Sequence, residues 1–375
     1  MRIAIDARIA HYSGAGIGQY TAQLSRALTR MDREDEFLLL QSRKAQTPLV
    51  TGPNVRQIGL WTPSHNRFEQ FLLSLEFPLR RIEVDLLHSP DFIPPLHLNN
   101  FKSVITVHDL AFLRWPHFLT EDSARYYGQV DQAVARADKI IAVSESTKND
   151  LIRLTGVPQK KISVVYEAAD PMFRPLPTEE ARTALKGKYP LPEEYIFFVS
   201  TIEPRKNIST LLRAYRRLRD DYKVTAGLVL AGAIGWLADQ VFEDVESLGL
   251  QDNVTFLGRV DNLDLLYLYN AAQCLAHPAF YEGFGLTPLE AMACGTPTVV
   301  SSISSLPEVV GDAALLVDAN NDEELAVAIH RLLTDQQLRQ SLREKGLIRA
   351  RVFSWDRAAR ETLAVYRSAM GLPPD

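Results

Sequence analysis

Two glutamates seven residues apart bracket a glycine-rich turn in Glu282-Gly-Phe-Gly-Leu-Thr-Pro-Leu-Glu290. Pro288 suits the first turn of a helix that continues to Cys294. Backbone N–H groups near Leu286 and Thr287 then point out of a helix start, where phosphate binds. Gly283 and Gly285 let the backbone approach a ligand closely. Glu290 shares the sign of a phosphate, so it is expected to face hydroxyl groups, which suggests a ribose diol. Glu282, on the loop before, can accept hydrogen bonds from a second polyol. A helix cap and a solvated loop acid are the plainer alternative, and they leave two glutamates around a glycine turn unexplained.

Arg205 and Lys206 stand side by side in Glu203-Pro-Arg-Lys-Asn207, between an apolar run and a helical pattern. A planar fork beside a point charge suits a diphosphate, and the pair is expected to form a cationic pocket. His108-Asp109 closes another apolar run, Val104–Val107, at the strand end where open sheets keep their chemistry. Gly14, Gly16 and Gly18 follow the first strand and precede a helix, a setting for phosphate or sugar contact. A dinucleotide fingerprint is disfavoured, because Gln19 stands where its third glycine belongs and Gln41 where its acid belongs.

These residues need a frame that presents strand ends, and the pattern along the chain supplies it. Short apolar runs alternate with longer helical patterns throughout. In the first half the expected strands are Ile3–Asp6, Phe37–Gln41, Val84–Ser89, Val104–His108, Lys139–Ser144 and Ile162–Tyr166. In the second they are Tyr195–Ser200, Gly227–Ala231, Val254–Leu257, Cys274–His277, Thr298–Ser301 and Ala314–Asp318. The fold class is α/β, with two doubly wound parallel sheets, whose ligands bind outside the strand C-termini. Five prolines in Asp170–Pro192 argue for a linker between the halves.

The 375 residues suit two domains, and 41 basic against 46 acidic residues leave a net charge of −5, with no bulk attraction to nucleic acid. Two cysteines cannot form a disulfide framework. Charges at positions 2, 6 and 8 argue against a signal peptide, and the expectation is a cytoplasmic chain. Arg80-Arg81 beside Phe77 and Leu79 offers a local basic patch for the inner face of a membrane, which a solvated helix face explains equally well.

With these motifs in this order, the chain resembles the group 1 glycosyltransferases, family 4, of the GT-B fold. The resemblance implies two Rossmann-like domains facing across a cleft: 1–170 for the acceptor and 171–352 for the donor. A C-terminal helix in 353–375 would cross back to the first domain. It implies a retaining transferase that moves a hexose, of glucose or mannose type, from a UDP- or GDP-linked donor to a glycan or lipid-linked saccharide. By the resemblance Arg205 and Lys206 contact the diphosphate, Glu290 the ribose and Glu282 the hexose. Phe284, Gly285, Leu286 and Thr287 complete the sugar and phosphate site, and Gly258, Arg259 and Val260 line the base pocket. His108 lies near the donor sugar, and Gly16 approaches the phosphate. No Asp-x-Asp triplet occurs in the chain, so metal-independent chemistry without a cofactor is expected. An epimerase or a silent sugar-nucleotide scaffold of the same fold is the rival reading.

Overall fold

The computed structural model describes residues 1–12, 16–64, 66, 68–92, 94–95, 100–115 and 127–373. It divides into two compact units, Met1–Glu167 with Ser354–Asp375, and Ala168–Phe353.

The first unit is built on a sheet of parallel strands: β1 (Arg2–Asp6), β2 (Glu36–Ser42), β3 (Val55–Leu60), β4 (Leu86–Ser89), β5 (Lys102–Val107), β6 (Lys139–Ala142) and β7 (Ile162–Val164). Their order across the sheet is β3-β2-β1-β4-β5-β6-β7. The central strands are rich in buried Ile, Leu, Val and Ala, with His88, Ser89 and Thr106 buried among them, because helices cover both faces. β3 was not among the expected strands. It is the edge strand, and Val-Arg-Gln-Ile-Gly-Leu shows only its last residue fully buried.

Crossover helices fix the direction of each strand. One runs over Ile17–Met31 and opens at Gly16, which has φ 55° and ψ −123°, a conformation that disfavours any side chain. Gly14 falls outside the described residues. Another helix spans Glu145–Thr155, where the Ser144 side chain accepts a hydrogen bond from the Thr147 N–H and Gly156 ends it at φ 70°. The last helix, Trp355–Met370, belongs to this unit, although the second unit precedes it in the chain. Tyr366 on it meets His88 Nδ1 at 2.6 Å, and Trp355 packs edge-on to Tyr20.

The second unit carries β8 (Tyr195–Val199), β9 (Gly227–Ala231), β10 (Val254–Gly258), β11 (Cys274–His277), β12 (Thr298–Ser301) and β13 (Leu315–Val317), all parallel, in the order β10-β9-β8-β11-β12-β13. Phe197, Phe198, Val229, Leu230, Leu275 and Val299 are buried at its centre. The proline-rich stretch read as a linker is folded onto this unit. Its Thr178–Leu185 forms a helix whose Ala181 and Leu185 join Tyr195, Phe197 and Leu268 in one core. The prolines flank that helix and do not interrupt it.

In both sheets the order reverses between two neighbouring strands, β1/β4 in one and β8/β11 in the other. Loops leaving such a pair diverge to opposite faces and open a crevice at the strand C-termini. The motifs of interest in the second unit lie on the loops after β8 and β11.

Candidate functional site

The chain leaving β8 makes a short 3-10 turn at Pro204–Lys206 and ends it at Asn207, held at φ 58°. Asn207 Nδ2 donates to the carbonyls of Pro278 at 2.8 Å and Ala319 at 2.6 Å. The Phe280 N–H donates to the Arg205 carbonyl at 2.9 Å. These bonds knit the loop after β8 to the loop after β11 and fix where Arg205 and Lys206 stand.

Their charges converge on Glu282. Lys206 Nζ donates to Glu282 Oε1 at 2.6 Å, and His277 Nε2 donates to the same oxygen at 2.7 Å. Arg205 approaches Glu282 Oε2 at 3.5 Å and pairs with Glu203 at 2.8 Å. It also donates to the Tyr281 carbonyl at 3.1 Å. Burial works against the Glu282 carboxylate, but Lys206, His277 and Arg205 outweigh it and hold the group well below the usual carboxylate range. Lys206 is drawn below the ordinary lysine value by its burial and by Arg205. Burial likewise pushes His277 down, and its ring stacks on Phe198.

The expected cationic pocket is therefore a compensated one. Glu203 and Glu282 already balance the two cations, and the diphosphate expected here must share or replace those partners.

The turn after Glu282 is braced from the β12 side. Ser304 Oγ accepts from the Glu282 N–H at 3.0 Å, and Ser305 Oγ donates to the carbonyls of Glu282 and Phe284. Phe284 is buried against Phe353. Gly285 has φ 114°, and a Cβ there would come within 3.0 Å of Leu306. It turns the chain into the helix Leu286–Cys294, so Leu286 and Thr287 occupy the helix start as expected.

Glu290, one turn into that helix, accepts from the Tyr269 hydroxyl at 2.9 Å. Burial pushes its carboxyl up to about 8; Tyr269 opposes the shift and Asp170 adds to it. Glu290 is thus largely protonated near pH 7, which weakens the like-charge argument for placing it away from phosphate.

Gly258 ends β10 at φ 65°, with open space where a Cβ would stand. Arg259 after it is exposed, and Val260 packs on the core. These three lie two strands away from the Glu282 cluster, with the β9 loop between. The Gly232 N–H donates to the Gly258 carbonyl at 2.8 Å, and Ile202 bridges Ile234.

His108 is the first residue after β5, in the other unit. Its Nδ1 meets Glu167 Oε1 at 2.8 Å and its Nε2 meets the Pro90 carbonyl at 2.9 Å. Burial alone would lower this imidazole, but Glu167, Asp91 and the Pro90 carbonyl raise it above the ordinary histidine value. The Pro90 carbonyl can only accept, so Nε2 carries a proton, and Glu167 stands where it can accept a second from Nδ1.

Three neighbours escaped the reading of the sequence: His277, Glu167 and Gly232. His277 and Glu167 each lie at or just beyond the end of an expected strand, the same signal that singled out His108. Gly232 follows β9 directly.

Comparisons with known proteins agree with this architecture. The family profile of glycosyltransferase family 4 matches residues 14–173, and that of glycosyl transferases group 1 matches residues 182–349. The O-antigen chain mannosyltransferase B of Escherichia coli is 32% identical, over 98% of this chain and 100% of its own length. The serotype-specific mannosyltransferase WbdA of Escherichia coli is 28% identical over 92% of this chain, which spans only 45% of WbdA. Among solved structures, sucrose-phosphate synthase from Thermosynechococcus elongatus superposes with a TM-score of 0.80 at 23% identity, covering 99% of both chains. WaaG, a glycosyltransferase involved in lipopolysaccharide biosynthesis, gives 0.74 at 16% identity over 97% of this chain and 99% of its own. With sheets, loops and both family profiles in agreement, the chain belongs to the group 1 glycosyltransferases of family 4, with the GT-B fold.

Proposed function

We propose that the protein is a retaining mannosyltransferase that takes the hexose from a nucleoside diphosphate sugar and passes it to a saccharide acceptor, free or lipid-linked. The observation that carries this reading is the meeting of Arg205 and Lys206 with Glu282 at the β8/β11 crevice. The choice of mannose rests on the mannosyltransferase B relative, which the chain spans from end to end.

In this reading the diphosphate binds against Arg205, Lys206 and the start of the helix Leu286–Cys294. Negative charge grows on the β-phosphate as the anomeric C–O bond breaks, and fixed cations and aligned amides stabilise it most at that moment. The acceptor oxygen bonds to the anomeric carbon on the face the phosphate leaves, and its proton passes to a phosphate oxygen. No protein nucleophile is needed and configuration is kept. Glu282 Oε2, with Oε1 already engaged by Lys206 and His277, is the oxygen left for a hexose hydroxyl. Glu290 takes the ribose hydroxyls and Gly258–Val260 flank the base. Two resident cations replace a divalent ion in this scheme.

The test is mass spectrometry of product formed from GDP-mannose and from UDP-glucose with mannose-terminated oligosaccharides, in chelator and in magnesium. Product from GDP-mannose that survives chelation is expected, and Lys206→Ala should cost about 2–4 kcal/mol of transition-state stabilisation. Sugar nucleotide altered without acceptor would make the protein an epimerase, and activity restored only by magnesium would remove the electrostatic argument.

A further inference from the structure

At the opposite end of the first sheet from His108, three strand starts meet around a cavity of about 510 Å³. Asp85 precedes β4, Lys102 opens β5 and Asp138 precedes β6. Met370, the last residue of the returning helix, lines the cavity, as do the buried Pro94 and Pro95. Lys102 and His108 stand six residues apart along β5, roughly 20 Å at the rise of an extended strand. The cavity is therefore separate from the loops at the strand C-termini. Its volume is that of a small-ligand site.

Its charges cancel, but its hydrogen-bonding capacity is only partly used. Lys102 Nζ pairs with Asp138 Oδ1 at 2.9 Å, and Asp138 Oδ2 accepts from the Ser103 N–H at 2.9 Å. Asp85 Oδ2 accepts from the Arg2 N–H at 2.7 Å, which leaves Oδ1 for another donor. Arg136 and Asn100 are exposed at the cavity and have no side-chain partner among the described residues. The buried Ser103 hydroxyl likewise has none.

Two cations against two carboxylates give the cavity no net field, so a phosphate or a nucleotide has no advantage there. An apolar ligand would strip water from these polar groups without replacing its hydrogen bonds. What suits them is a neutral molecule rich in hydroxyl groups, each able to donate and accept. Planar carboxylate, amide and guanidinium groups can each span two neighbouring hydroxyls. Phe101, half-buried and 6.0 Å from Phe77 between ring centroids, also lines the cavity. It adds a flat apolar surface, which the C–H face of a sugar ring can cover.

We propose that this cavity is a saccharide-binding site, in which Asp85, Asn100 and Arg136 bond the hydroxyls of a neutral glycan and Phe101 stacks on its ring. The inference deepens the glycosyl-transfer reading, on which the choice of a mannose oligosaccharide as probe rests. A glycan long enough to reach both ends of the sheet would stay near the transfer site at a raised effective concentration. Binding here is measured without donor or turnover, so the cavity and the transfer reading can fail separately.

The experiment is an NMR titration of the full chain, isotope-labelled at its methionine methyl groups, with an α-linked mannose pentasaccharide. Met370→Leu identifies the Met370 signal. That signal should move saturably with the pentasaccharide and stay still with inorganic phosphate or a nucleoside diphosphate. Asn100→Ala with Arg136→Ala should weaken the binding roughly tenfold or more, because two hydrogen-bonding side chains are lost. Both are exposed and make no bond that the fold uses, and unchanged thermal unfolding checks this. A Met370 signal that ignores the pentasaccharide, equal affinity in the double variant, or movement driven by phosphate would overturn the proposal.

Discussion

Glu282 has two oxygens and three basic neighbours, and that imbalance governs what its replacement does. In Glu282→Gln the Lys206 ammonium loses its nearest counter-charge while Arg205 keeps Glu203. A buried cation without a partner takes an anionic ligand more readily. Glu282→Gln should therefore bind sugar-free nucleoside diphosphate as tightly as the wild type or more tightly, while turnover falls about a hundredfold or more. Isothermal titration beside steady-state kinetics reads both, and parallel loss of nucleotide affinity and turnover would return Glu282 to a structural part. Glu290 makes a different prediction through its proton. With its carboxyl near 8, the neutral form favours the fold at low pH, and that contribution fades as pH climbs from the carboxylate range through about 8. Ribose hydroxyls favour the carboxylate, so nucleotide binding at pH 7 should release close to one proton. Titration in buffers of different ionisation enthalpy measures it, and Glu290→Gln should abolish the release.

The elements explain which residues could be read before the structure was known. Arg205 and Lys206 stood out because they follow an unbroken apolar run, the mark of a strand covered on both faces, and Glu282 because it and Glu290 bracket a glycine-rich turn. The helix Glu69–Leu79 was not legible, because it buries Glu69, Gln70 and Glu76 beside Leu73 and Phe77 while Phe71, Leu75 and Leu79 face out, which defeats a reading that places only apolar residues inside. Gln336–Ala350 escaped for a related reason, since only Leu342 and Gly346 are buried along it. The compensation of Arg205 and Lys206 was equally hidden, because Glu203 and Glu282 reach them through loop geometry that spacing does not encode. Gly232 is where backbone and element meet most tightly. At φ 142° it would place a Cβ 1.8 Å from the Ser200 carbonyl oxygen, whereas Gly258 at φ 65° has nothing within 4 Å. Gly232→Ala should cost about 4 kcal/mol or more in denaturant unfolding, because the backbone of two strand ends must part. Gly258→Ala should cost only about 1–2 kcal/mol, for the left-handed conformation alone.

For the whole molecule, the chain enters the second unit once, after Glu167, and leaves it once, before Ser354. The second unit is thus a continuous segment, while the first is assembled from two pieces. Residues 168–353 expressed alone should fold cooperatively and retain nucleoside diphosphate binding. A chain ending at Phe353 should lose the first unit's protection in hydrogen exchange, because Tyr366 and Trp355 no longer meet His88 and Tyr20. A soluble truncated chain with wild-type protection would show that the last helix is dispensable.

The returning helix also sets an order of events during synthesis. Residues 1–167 leave the ribosome first, yet the strands they form must wait for Trp355–Met370 before His88 has its Tyr366 partner. At about 5–20 residues per second the wait is on the order of ten seconds, and the second unit can be complete before it ends. The segment made first is thus the last to finish folding, and a nascent chain stalled before Ser354 carries a finished second unit and an unfinished first one.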